Sequence, residues 1–212
     1  MQNDPQENLL ATAPIGRLLV KFAVPCVLSM LVGALYNIVD QIFIGWGVGY
    51  LGNAATNVVY PFTVVALALA LLIGDGCAAL LSLSLGKGDR ETGSRCIGNG
   101  IFFTVLIGIV LTILGFALED SILALFGVTD GCYAYAKDYM DIILLGIPFY
   151  VFASAMNGPI RADGAPGYAM FATVIGAILN LIGDPVAIFV LDLGVKGAAA
   201  ATVLLWEAAR ND

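Results

Sequence analysis

G-A-I-L-N-L-I-G-D-P-V-A-I-F, Gly176–Phe189, decides how this chain is read. Twenty uncharged residues, Gly164–Gly183, run into Asp184, and seven more uncharged residues follow it. A run of that length crosses the ~30 Å hydrocarbon core of a bilayer as a helix and carries the carboxylate in with it. An ionisable group inside a span is expensive, so it points to a functional site. Asn180 stands four residues earlier and stacks on the same helical face, one turn away. Pro185 lacks an N–H and disfavours helical geometry at Asp184. It therefore predicts local unwinding that frees backbone carbonyls beside the carboxylate. Carboxylate, amide and carbonyls together make an all-oxygen nest suited to a hard cation or a proton.

The rest of the composition agrees with a membrane setting. Of 212 residues, 60 % are hydrophobic and only 12 % charged, with a mean hydropathy of +0.94. A soluble fold would be left with too little polar surface. The net charge of −7 and a pI near 4.3 make nucleic acid an implausible partner. The four cysteines, Cys26, Cys77, Cys96 and Cys132, form no C-x-x-C pair and read as small packing residues. With no histidine in the chain, a proton crossing the membrane has to ride on carboxylates, helped by Tyr, Ser or water.

Read in order, residues 1–14 form a cytoplasmic tail with no cleavable leader. Apolar runs then place spans at about 18–44, 57–85, 96–118, 139–160 and 168–190. Pro25 kinks the first span, and the glycine-rich stretch Gly45–Asn53 reads as the turn after it. The short apolar piece Ile122–Phe126 lies along the interface. A sixth run, 197–206, offers ten uncharged residues where a span needs ~20, so it is a truncated helix. With the N-terminus inside, Arg17, Lys21, Lys87, Arg90, Arg95, Arg161 and Arg210 fall on the cytoplasmic side, leaving only Lys137 and Lys196 outside. The expected fold is an all-α integral membrane bundle of five full transmembrane helices plus a truncated sixth.

Depth ties three polar residues together. Asp40 stands nineteen residues beyond Lys21, about 28 Å up the first helix, and Asp184 about 27 Å up the fifth from Pro166. Thr202, six residues into the sixth run, falls in the outer half as well. Two carboxylates sharing an apolar site titrate as a pair.

Five blocks carry a family resemblance: P-C-V-L-S-M-L-V-G-A-L-Y-N-I-V-D-Q-I-F-I-G (Pro25–Gly45), S-L-G-K-G-D (Ser84–Asp89), I-R-A-D-G-A-P (Ile160–Pro166), L-N-L-I-G-D-P (Leu179–Pro185) and G-A-A-A-A-T (Gly197–Thr202). The chain resembles the multidrug and toxic compound extrusion (MATE) transporters, in their MepA-like bacterial branch, over residues 15–203. Residues 204–212 diverge. The resemblance implies one lobe of a two-lobe transporter in a bacterial inner membrane. It implies cation-coupled efflux of amphipathic, often cationic xenobiotics, with a missing second lobe or self-association completing the unit. The coupling ion would be a proton or sodium, with no other cofactor. By the same resemblance Asp40, Asn180, Asp184, Thr202 and Tyr139 form the cation site, with Na+ possible at Asp184, Asn180 and Thr202. Tyr36, Asn37, Asn157 and Asp75 are the candidate cavity residues, and Phe62, Phe149, Tyr150 and Phe152 are aromatic candidates for its wall.

Rival readings are weaker. The triplet G-D-G at Gly74–Gly76 suggests an intramembrane aspartyl protease, but position 72 is Leu72 where G-x-G-D needs glycine, so no enzyme is expected. A flippase for lipid-linked oligosaccharides calls for a basic cavity, and apart from Lys21 at the start of the first, the spans hold no Lys or Arg. An inactive membrane fragment of such a transporter is the remaining alternative.

Overall fold

The computed structural model describes residues 13–191 and 194–208, and every regular element in them is helical. The residues expected to form the tail, 1–12, and the last part of the divergent end, 209–212, lie outside the described residues. Helix α1 is Ile15–Gly47, α2 Tyr50–Gly86, α3 Arg90–Ala117, α4 Glu119–Leu125, α5 Tyr133–Ala162, α6 Pro166–Pro185 and α7 Gly194–Ala208. Five helices are long and apolar enough to cross a membrane: α1, α2, α3, α5, and α6 with its continuation to Val190. In hydrocarbon the backbone has no water to bond, so helices that satisfy their own N–H and C=O groups are the available solution.

That constraint corrects the turn expected at Gly45–Asn53. Helix α1 runs on to Gly47 and α2 begins at Tyr50, so only Val48 and Gly49 break the backbone ladder. Gly49 takes φ 85°, the left-handed turn residue. Gly45 serves packing instead, since a β-carbon there would lie 2.9 Å from Nδ2 of Asn53. Helices α2, α3 and α5 likewise begin several residues ahead of their apolar runs, at Tyr50, Arg90 and Tyr133. Their first turns are polar but keep the helical bonds going.

The core lies between α2 and α5. Ala55, Val59, Ala66 and Ala70 pack against Met140, Ile143, Leu144, Ile147 and Val151. Small residues let these backbones meet. A β-carbon on Gly74 would run into the carbonyl of Ala155, and one on Gly108 would lie 2.8 Å from Cα of Pro148. Helix α1 is nearly bare of buried residues, with only Ser29 and Ile44 covered. It packs chiefly along α6 rather than on its neighbour in sequence, α2.

Short α4 hangs at one end of the bundle, with Leu123 sunk into the core. Lys137 clamps it to α5, reaching Glu119 at 3.2 Å and Asp120 at 3.1 Å. The Tyr133 hydroxyl donates to Asp120 at 2.6 Å. Burial pushes the Glu119 carboxyl above its ordinary range, against the pull of Lys137. Lys196 on α7 pairs with Asp138 on α5 at 3.1 Å.

Candidate cation site and cavity

Asn180 and Asp184 stack one turn apart on α6, with 0 % and 1 % of their surface exposed. Turned so that its N–H groups face the carboxylate, the Asn180 amide donates to both Asp184 oxygens, one of them at 2.6 Å. Bonds to an ionised acceptor are the strong kind, and they hold the carboxylate in one orientation.

The expected unwinding at Asp184 does not occur. Pro185 keeps helical angles, φ −60° and ψ −39°, and Val186–Val190 continues as a π-helical turn closed by Leu191 N–H to the carbonyl of Val186 at 3.0 Å. A wider turn absorbs the missing proline N–H without breaking the helix.

Asp40 comes across from α1. Its carboxyl lies within hydrogen-bond reach of Asp184, yet its Oδ1 is buried with no donor among the described residues. Two ionised carboxylates offer each other only acceptors. The contact is satisfied when one of them carries a proton or when a cation lies between them.

Beside this pair opens a cavity of about 990 Å³, walled by α1, α2, α5 and α7. Tyr36, Asn37 and Asp40 line it from α1, Tyr139 and Tyr150 from α5 and Thr202 from α7. Asn37 donates to the carbonyl of Gly33 at 2.7 Å. Tyr36 and Tyr139 lie within electrostatic reach of both carboxylates. Thr202 spends its hydroxyl proton on the carbonyl of Ala198 at 3.0 Å, leaving the oxygen as an acceptor.

Other expected residues fall elsewhere. Asp75 is exposed, about 12 Å along α2 from Leu67, the last α2 residue on the cavity wall. Its carboxyl lies by Gly158 of α5, next to Asn157. Both therefore leave the cavity, because helix length carries them past its floor. Phe62 and Phe149 turn into the α2–α5 core, and Phe152 is not on the wall either. Among the described residues no group of three or more His, Cys, Asp or Glu side chains is arranged to hold a metal.

The sequence reading missed the α2 wall. Asn53, Thr56, Asn57, Tyr60 and Thr63 line the cavity, and Thr56 donates to Oε1 of Gln41 at 3.2 Å, joining α2 to α1. Their spacing of three and four residues is a legible polar stripe, hidden by assigning residues up to 53 to a turn.

A bundle of five candidate spans and a shorter helix, with facing carboxylates beside a cavity of mixed aromatic and polar lining, has the make-up of a lobe of a multi-pass membrane transporter. The MatE family model matches residues 25–186, and the chain belongs to that family, the MATE transporters. Multidrug export protein MepA of Staphylococcus aureus (strain MRSA252) is 26 % identical over 201 residues, which cover 95 % of this chain and 45 % of that protein. A protein of Shewanella oneidensis named FAD transporter is 26 % identical, over 93 % of this chain and 44 % of its own. A crystal structure of MATE in complex with MaD3S superposes with a TM-score of 0.91 at 28 % identity, covering 99 % of this chain and 47 % of that one. The chain thus spans a little under half the length of these relatives.

Proposed function

We propose that this lobe forms the ion-coupling half of a cation-coupled multidrug efflux antiporter, with a proton as the coupling ion. The observation that carries the reading is the Asp40–Asp184 contact, whose buried Oδ1 has no donor among the described residues. The contact itself supports a proton, because a single proton shared between the two carboxyls gives it the missing donor. A sodium ion would need further oxygens drawn in from Thr202 and the carbonyls. Protonation neutralises one carboxylate, relaxes the repulsion between α1 and α6, and so favours a different packing of α1. Coupling requires only that the proton bind two packings unequally.

The cavity supports an amphipathic, cationic cargo. Its wall combines Tyr36, Trp46, Tyr60, Tyr139 and Tyr150 with one carboxylate, Asp40. Aromatic faces and a carboxylate suit a flat cation. No Lys or Arg stands among its described lining residues, which weighs against a pyrophosphate cargo such as a flavin dinucleotide and against lipid-linked oligosaccharides. The lysine and arginine distribution supports a cytoplasmic N-terminus in a bacterial inner membrane.

The test is ethidium efflux from proteoliposomes holding a two-lobe transporter that carries this lobe. Efflux driven by a pH gradient and not by a sodium gradient is expected. Efflux driven by sodium alone would refute the proton assignment.

A further inference from the structure

Away from the cavity, α2 and α3 bring two cysteines face to face. The thiol of Cys77 on α2 points at the carbonyl of Cys96 on α3 at 3.6 Å, and the thiol of Cys96 points back at the carbonyl of Cys77 at 3.9 Å. The two thiols lie within electrostatic reach of each other. Reciprocal contact of this kind requires the two residues to stand at one height on facing sides of an antiparallel helix pair. Gly100, one turn beyond Cys96, makes the room, because a β-carbon there would lie 2.6 Å from the Cys77 sulfur.

The other cysteines lack this arrangement. Cys132 is buried and takes the Thr129 hydroxyl at 3.4 Å, and Cys26 lies on α1. Cys77 sits nine residues before the end of α2 and Cys96 six residues into α3. At 1.5 Å per residue the pair lies about 10–14 Å along the helices from the Lys87–Asp89 turn. Arg95, the residue before Cys96, is charged and exposed, so the pair sits where the apolar run of α3 begins, within reach of an amphipathic oxidant dissolved in the bilayer. Cys96, only partly buried, is the side open to attack, while Cys77 is 9 % exposed.

We propose that Cys77 and Cys96 form a dithiol oxidation site, closed into an α2–α3 disulfide by membrane-soluble organic hydroperoxides. The sulfur of Cys96 attacks the peroxide oxygen and the O–O bond breaks. The thiol proton goes to the departing alkoxide, giving an alcohol and a sulfenic acid on Cys96. The sulfur of Cys77 then attacks that sulfenic sulfur. The S–S bond forms, the S–O bond breaks, and the expelled hydroxide takes the Cys77 proton to leave as water. Two electrons pass from the thiols to one peroxide, and no other reactant is needed. The staple falls one turn beyond Gly74, where α2 rests on the backbone of Ala155. It fixes the crossing of α2 on α3 at the point where α2 also bears on α5.

The experiment treats the full chain in membranes with cumene hydroperoxide, then alkylates with N-ethylmaleimide and maps peptides by mass spectrometry. A Cys77–Cys96 linked peptide, two hydrogens lighter than the pair and reversed by dithiothreitol, is expected. N-ethylmaleimide labelling of both residues should fall at least fivefold. Cys77→Ser and Cys96→Ser should each abolish the link, and Cys26→Ser should leave it intact. Labelling unchanged by the peroxide, oxidation of Cys96 that stops at sulfinic acid, or pairing with Cys26 between molecules would overturn the proposal.

Discussion

Asn180 and Asp184, four residues apart on α6, form a closed unit in which one amide holds both oxygens of one buried carboxylate. Asp184→Asn keeps the shape and an acceptor for Asn180 but removes the titrating group. In a two-lobe transporter carrying this lobe, gradient-driven ethidium efflux should fall to the level of empty-vector cells at unchanged membrane expression. Efflux by the variant at wild-type rate would remove Asp184 from the coupling site.

Asp40 and Asp184 meet from different helices, so their contributions should not add. The shift in the pH profile of efflux produced by the double variant Asp40→Asn/Asp184→Asn should be far smaller than the summed shifts of the single variants. Additive shifts would mean two independent sites.

Gly74 and Gly76 lie two residues apart on α2 and should respond oppositely to alanine. At Gly74 the new methyl meets the backbone of Ala155, whereas at Gly76 it meets open space. Gly74→Ala should cost about 1–3 kcal/mol through overpacking. Gly76→Ala should be neutral or stabilising by up to ~1 kcal/mol through helix propensity. Thermal unfolding of both variants in one detergent compares them directly.

The α4 clamp predicts a pH signature outside the spans. Glu119 binds its proton more tightly in the folded chain than in the unfolded one. Its ionised form therefore costs stability above the folded pKa, and that cost fades as the pH falls toward the unfolded value near 4.5. Glu119→Gln should match or exceed the wild type in thermal stability at neutral pH. Lys137→Met strands the buried carboxylate and should lower thermal stability. That loss should shrink on acidification. A variant Lys137→Met equally destabilised at pH 4 and pH 8 would contradict the ionic account.

Expressed by itself, the 212-residue chain should show no gradient-driven efflux, because its cavity is walled by one lobe only, against relatives a little over twice its length. Efflux that is abolished by Asp184→Asn would instead show two copies pairing into a working unit.

The five spans were legible because each is a largely apolar run long enough to cross a bilayer, a property that needs no tertiary information. The stacking of Asn180 on Asp184 was legible for the same reason, since four residues along a helix fix a face. What the sequence hid depends on context. Glycine at 45, 47 and 49 reads as a loop, yet only Gly49 needs a turn conformation, while Gly47 admits the side chain of Ile188. Pro185 reads as a break, yet neighbouring packing lets the helix widen instead. Glu119 opens a polar segment of the sequence, and only the docking of α4 onto α5 buries it.

The partnership of α1 with α6 sets a timetable. The chain that emerges first has its docking surface encoded roughly 120 residues later, and at about 5–20 residues per second the wait is on the order of 10 s. During that interval Asp40 has no facing carboxylate, and α1 stands in lipid or is held by the insertion machinery. Assembly of this lobe therefore depends on a late, non-local closure. Substitutions along α6 should register first as a loss of correctly inserted α1, before any loss of α6 itself.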